Sequence, residues 1–155
     1  MSKNVNGVAL DEVSRAIIEE LQTDGRKPYA AIGTAVGLSE AAVRQRVSRM
    51  VDSGLIQIAA ITNPLQVGFL RQAMIGISVQ GDVEVVSQKI SAIPEISYVV
   101  VTAGSFDVLA EVVCEDDDQL LDVVNRQIRA ITGVVRSETF VYLKLAKQTY
   151  SWGTR

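Results

Sequence analysis

The chain has 155 residues, 48% of them apolar and 21% charged, with a formal net charge of −3. That is room for one ordinary folded domain or two small ones, and it is too apolar for a disordered polymer. There is no histidine and one cysteine, which removes ordinary zinc centres, Ser-His and Cys-His triads and any internal disulfide.

No catalytic residue, metal site or cofactor is therefore expected, although carboxylate or lysine chemistry stays open. No apolar run approaches the ~20 residues of a bilayer span, and Met1–Gly7 lacks the apolar centre of a secretory signal. A cytoplasmic protein without membrane contacts is the expectation.

Leu10-Asp11 opens a first helix with Asp11 as its cap, Val13, Ile17, Ile18 and Leu21 as its buried stripe, and Asp24-Gly25 as its end. Pro28 suits the first turn of a second helix, where a missing N–H costs little. Tyr29, Ile32 and Val36 face inward, and Gly33 permits a close helix crossing. The turn Gly37-Leu38-Ser39 follows, glycine giving backbone freedom and Ser39 an N-cap. In the third helix Val43, Val47 and Met50 recur at spacings of four and three and bury one stripe. Gln45, Ser48 and Arg49 lie opposite that stripe, with Arg44 and Arg46 on its shoulders. Three guanidiniums and no carboxylate between Ala41 and Val51 suit the edge of double-stranded DNA. Residues 1–62 carry seven basic and seven acidic side chains, so binding would rest on cations sharing one face rather than on net charge. Ser53-Gly54 closes the helix, and residues 55–61 read as a strand. Three helices and a strand make a winged helix-turn-helix over residues 1–62, with a linker strand from about 55, and Thr62-Asn63-Pro64 marks the boundary.

Residues 63–155 hold eight basic and eleven acidic side chains. They read as strand 72–79, helix 82–92, strand 97–103, strand 107–114, helix 117–131 and strand 135–145. The helical stripes are Val83, Val86, Ile90, Ile93 and Leu121, Val124, Ile128, Ile131. This βαββαβ order is the ferredoxin-like sandwich, with both helices on one face of an antiparallel sheet. The fold class is thus α+β, a winged helix-turn-helix followed by a ferredoxin-like domain. Val99-Val100-Val101, Val108-Leu109-Ala110 and Phe140-Val141-Tyr142-Leu143 are apolar at consecutive positions, hence on both faces. The uncovered face is expected to pack against a second copy, and a homodimer would pair two recognition helices on successive half-sites.

With both halves placed, the chain resembles the Lrp/AsnC (feast/famine) family of transcription regulators over roughly residues 10–147. The matching elements are Leu10-Asp11, Asp24-Gly25-Arg26, Gly37-Leu38-Ser39 with Ala42-Val43 and Arg46-Val47, then Gly54, Ile56, Asn63-Pro64 and Gly68. In the second half they are Pro94-Glu95-Ile96, Gly104-Ser105-Phe106-Asp107 and Gly133-Val134. The resemblance implies a DNA-binding regulator with a RAM-type C-terminal domain. It also implies dimers that assemble into octamers or other higher oligomers, and a small-molecule effector, an amino acid or related metabolite, bound between dimers. The chain departs from the family pattern at Ser14, Pro28, Ala31, Gly33, Ala103 and Phe106.

The DNA-contact candidates are Ser39, Arg44, Gln45, Arg46, Ser48 and Arg49. Ser39 and Gln45 would meet base edges, Arg49 a base or a phosphate, and Arg44 and Arg46 the backbone. The plainer alternative is a solvated cationic face, or Arg46 paired with an internal carboxylate. The effector candidates are Gly104, Ser105, Phe106 and Asp107, with Thr139 on the last strand. On turn chemistry alone, Gly104–Asp107 is an ordinary hairpin, and only the resemblance makes it a ligand loop. Glu115–Asp118 reads as a hydrated helix start rather than a cation site. Cys114 reads as a buried structural thiol, and Trp152 as a candidate oligomer contact. Two rivals remain: a decarboxylase on the same scaffold, and a metabolite-binding assembly protein whose helix-turn-helix no longer binds DNA.

Overall fold

The computed structural model describes residues 10–150 with Gly153 and Thr154; Trp152 lies outside the described residues. The chain forms two compact units, Met1–Ile61 with Lys147–Arg155, and Thr62–Ala146.

In the first unit three helices surround a small core: α1 (Glu12–Thr23), α2 (Tyr29–Val36) and α3 (Glu40–Asp52). Asp11 caps α1 by accepting from the Ser14 N–H at 2.7 Å. Ser39 caps α3 by accepting from the Ala42 N–H at 3.2 Å. Pro28 is the N-cap residue of α2 rather than part of its first turn. Gly37 closes α2 at φ +73°, the left-handed geometry a helix-ending glycine supplies. Ile17, Ile18, Ile32, Val43, Val47 and Met50 form the buried cluster, with Tyr29, Val36 and Leu38 packed against it. A Cβ on Gly33 would lie 2.5 Å from the Leu38 carbonyl oxygen. What this glycine admits is therefore the backbone of the turn, not another helix. Residues 55–61, read from sequence as a strand, have no ladder in the single chain. An apolar segment becomes a strand only when a neighbour accepts its backbone hydrogen bonds. Near the end of the chain, the Gly153 N–H donates to Gln22 at 3.2 Å and the Thr154 hydroxyl to Glu19 at 2.7 Å.

The second unit is β1 (Arg71–Val79), α4 (Val83–Ser91), β2 (Ile96–Val101), β3 (Val108–Cys114), α5 (Asp117–Asp122) and β4 (Val134–Val141), preceded by a 3-10 turn at Pro64–Gln66. The sheet order is β2-β3-β1-β4, antiparallel throughout. One face carries Ala73, Ile75, Ile77, Val108, Ala110, Val112 and Cys114, all buried under Val86, Ile90, Val123 and Ile128 of the helical layer. The second helix departs from the expected pattern. It continues past Asp122 as a π turn over Val123–Ile128, with the Arg129 N–H reaching the Val124 carbonyl. The wider turn changes the phase of the buried stripe. Leu120 packs inward and Val123 is fully buried, while Leu121, expected inside, is exposed.

The opposite face is open, and the register sets its composition. One row runs Tyr98, Glu111, Met74, Phe140, and the next runs Val100, Leu109, Gly76, Glu138. The face is therefore mixed rather than continuously apolar. Gln72 donates to Glu111 at 3.0 Å, and burial, then the hydrogen bond and charge of Glu111, push the Tyr142 phenol up to about 12.

Asp116 caps α5, and Asp117 holds Arg71 through two bonds of 2.5 and 2.7 Å, so the acidic run sits at a helix start. Cys114 is fully buried, and its thiol is pushed up to about 11 by burial, with Glu95 and Asp116 adding to the effect. Among the described residues, no helix is long and apolar enough to cross a membrane.

Candidate nucleic-acid interface and ligand loop

α3 turns Val43, Val47 and Met50 into the core, which leaves Arg44, Gln45, Ser48 and Arg49 on a solvent-facing surface. That surface also includes Glu40, Ala41 and Ala42. The three arginines, alike in sequence, are in three different states.

Among the described residues, the side chains of Arg49 and Gln45 have no ion-pair or hydrogen-bond partner. Their donors are free for base edges or phosphates. Arg44 bonds Glu40 at 2.7 Å, one turn earlier, and its guanidinium lies 5.2 Å from the centroid of the Tyr29 ring. With both partners exposed, such an i,i+4 pair contributes only about 0.3–0.5 kcal/mol, so a phosphate can replace Glu40 at small cost.

Arg46 is engaged inward. It donates to both Asp11 oxygens, at 2.9 and 3.1 Å, and to the Ser14 hydroxyl at 3.1 Å. Ser14 first, then Arg46, holds the Asp11 carboxyl down to about 2. The arrangement bolts the recognition helix to the start of α1. Ser14, one of the departures from the family pattern, is thus part of the bolt. Ser39 serves as a cap, and Ser48 bonds Asp52 at 3.2 Å. The Glu40–Arg44 pair, one turn apart, is a spacing that a count of carboxylates starting at Ala41 passes over, whereas the Asp11–Arg46 pair joins positions 35 apart and leaves no local signal.

In the second unit, Gly104–Asp107 connects β2 to β3. The Thr102 hydroxyl donates to the Phe106 carbonyl at 2.5 Å, the Asp107 N–H to Ile77 at 3.0 Å, and the Val79 N–H to the Asp107 carboxylate at 2.7 Å. Asp107 is therefore tied to β1 through its N–H and one carboxylate oxygen. Among the described residues, the N–H groups of Gly104, Ser105 and Phe106 have no hydrogen-bond partner. Phe106 lies on the open face directly over Gly76, where a Cβ would come within 2.6 Å of the ring. It meets Phe140 edge-on at 6.0 Å, with Arg136 6.0 Å above its ring. Thr139 is not part of this group. Its register partner is Ile75, which places it on the helix-bearing face, opposite Phe106. Alternation along a strand fixes that separation.

Comparison with known proteins agrees with both halves. The AsnC-type helix-turn-helix domain matches residues 10–51. An AsnC-type C-terminal dimeric alpha+beta barrel domain matches residues 69–155. The chain is 33% identical over 147 residues to the transcriptional regulator FL11 of Pyrococcus abyssi, covering 92% of this chain and 95% of that relative. It is 32% identical over 143 residues to the regulator AldR of Mycobacterium tuberculosis, covering 89% and 80%. The crystal structure of the Mycobacterium tuberculosis leucine response regulatory protein LrpA superimposes with a TM-score of 0.84 at 27% identity, covering 94% of this chain and all of that one. These relatives are named as transcription regulators, not enzymes. An arginine-bearing recognition helix followed by a four-stranded α+β domain, matched along almost its whole length, places the chain in the Lrp/AsnC family of helix-turn-helix transcription regulators.

Proposed function

We propose that this regulator binds duplex DNA as a homodimer through α3, in the cytoplasm, and that an amino acid held at the Gly104–Asp107 loop modulates the complex. The observation that carries the DNA reading is the outward face of α3, where Gln45 and Arg49 present unengaged donors. Arg49 and Gln45 read base edges, Arg44 exchanges Glu40 for a phosphate, and Ser39 and Ser48 add contacts at the two ends of the helix. Arg46 orients the helix from behind.

The loop suits a zwitterion. Its three free N–H groups can receive a carboxylate, and the second oxygen of Asp107 can receive an ammonium. Dimerisation through the open sheet face would cover Met74, Leu109, Phe106 and Phe140, and assembly of such dimers into octamers or other higher oligomers would bring loops of different dimers together.

Fluorescence anisotropy with the promoter duplex upstream of its own gene tests the reading. Arg49→Ala and Arg44→Ala should each weaken binding, and loss of a phosphate contact should reduce the salt slope by about 1. Asp107→Asn keeps an acceptor for Val79 while removing charge, so it should retain DNA binding and lose the amino-acid response. Full affinity in the Arg44, Arg49 double variant, or full response in Asp107→Asn, rejects the corresponding assignment.

A further inference from the structure

Of the residues on the outward surface of α3, from Glu40 to Arg49, Glu40 is the one carboxylate. A carboxylate on a surface that meets DNA is repelled by the phosphates. It weakens binding to every sequence alike unless a donor on the DNA meets it.

In the free protein that donor is internal. Glu40 accepts from Arg44 at 2.7 Å, with both side chains more than half exposed. Among the described residues the Glu40 carboxylate has no other hydrogen-bond partner. Arg44 has a second anchor, the Tyr29 ring 5.2 Å from its guanidinium carbon. When a phosphate takes Arg44, the guanidinium can stay over that ring, and Glu40 is the side chain set free.

What Glu40 can then meet follows from its place in the helix. The first turn of a recognition helix is the part that contacts base edges in the major groove. In α3 that turn is Glu40, Ala41 and Ala42, and the Ser39 oxygen before it already accepts from the Ala42 N–H. Two methyl groups let the helix end come close to the groove floor and leave Glu40 as the turn's charged side chain.

An ionised carboxylate only accepts hydrogen bonds. In the major groove guanine shows the acceptors N7 and O6, and thymine shows O4 and a methyl group. Adenine has an acceptor, N7, beside its N6 donor, whereas cytosine shows the N4 donor alone. We propose that Glu40 is a specificity-determining residue that selects cytosine. In the complex it leaves Arg44 and accepts from the N4 amine of a cytosine in each half-site. The same charge disfavours the other bases at that position, so Glu40 lowers general affinity and raises selectivity. This rests on the reading of α3 as the DNA-contacting helix. It adds a preference that Arg44 and Arg49 cannot supply, because guanidiniums only donate.

Selection from a randomised duplex library with the full chain, followed by fluorescence anisotropy on the selected site, tests this. The wild type should select a half-site with a fixed cytosine, and exchanging that C·G pair for T·A should weaken binding by roughly fivefold or more. In Glu40→Ala the same exchange should make little difference, and binding to unrelated duplex should become tighter. Glu40→Gln, which can donate as well as accept, should shift the selected base towards adenine. A role confined to helix stability would move the affinity for all sequences together and leave the base preference as it was. Retention of the wild-type preference in Glu40→Ala, or a wild-type site with no cytosine that depends on Glu40, overturns the proposal and leaves DNA binding by α3 standing. A wild type that binds no duplex at all overturns both.

Discussion

The two units solve the same problem with different resources. The helical unit buries Ile17, Ile18, Ile32, Val43, Val47 and Met50 and supplements them with polar fastenings: two side-chain caps and the Arg46–Asp11–Ser14 bolt. The sheet unit buries more than twice as many side chains and has backbone ladders across four strands. A small core cannot tolerate the loss of a member, whereas a larger one distributes it. The helical unit also keeps the arginine-bearing face of α3 in solvent, so it cannot enlarge its core from that side.

The largest effect should separate the units directly. Ile17→Ala and Ile75→Ala each remove a fully buried side chain, a change that costs about 2–5 kcal/mol in packed cores. By scanning calorimetry, Ile17→Ala should abolish the folding of the helical unit while the sheet unit keeps its transition; Ile75→Ala should lower the sheet transition without abolishing it. Equal responses would mean that the two units unfold as one.

Two glycines give a finer comparison. At Gly33 a methyl group would strike the Leu38 carbonyl, part of a backbone turn. At Gly76 it would strike the Phe106 ring, which can swing away. Overpacking of this kind costs about 1–3 kcal/mol. Gly33→Ala should lie at the upper end of that range and Gly76→Ala at the lower, read from urea midpoints. Gly76→Ala should also weaken the effector response by displacing the loop, and an unaltered response would remove Phe106 from the ligand site.

The smallest effect is the bolt. The Asp11 carboxyl lies below its unfolded value, at about 2 against 3.8, so it stabilises the fold fully above pH 4. That contribution disappears as pH falls from about 4 through 2. Both partners are partly exposed, which limits it to about 1 kcal/mol. Asp11→Asn should flatten the acid limb of the stability curve over that window. An unchanged limb would assign no stability to the bolt.

The legible parts of the sequence were those governed by local rules. The stripe of α3, the caps Asp11 and Ser39 and the βαββαβ order follow from spacing of four or fewer residues or from period-two alternation. What spacing did not reveal depended on partners distant in sequence or on backbone irregularity. Arg46 is a DNA-contact candidate because no carboxylate lies between Ala41 and Val51, with an internal ion pair as the alternative; the structure takes the alternative, through a carboxylate 35 residues away. The sequence puts Thr139 among the effector candidates, but the register of β4 against β1 turns it to the other face. A 3.6-residue period puts Leu121 in the core, but the π turn interrupts that period and Leu121 is exposed.

Phe106 already rests on bare backbone at Gly76, so it cannot sink when something presses on its loop. The ring can only slide, and the way is bordered by the edge of Phe140 on the outermost strand. A ligand bound at the hairpin tip, as proposed, would thereby push sideways on the rim of the sheet, the margin where a neighbouring subunit would sense it first.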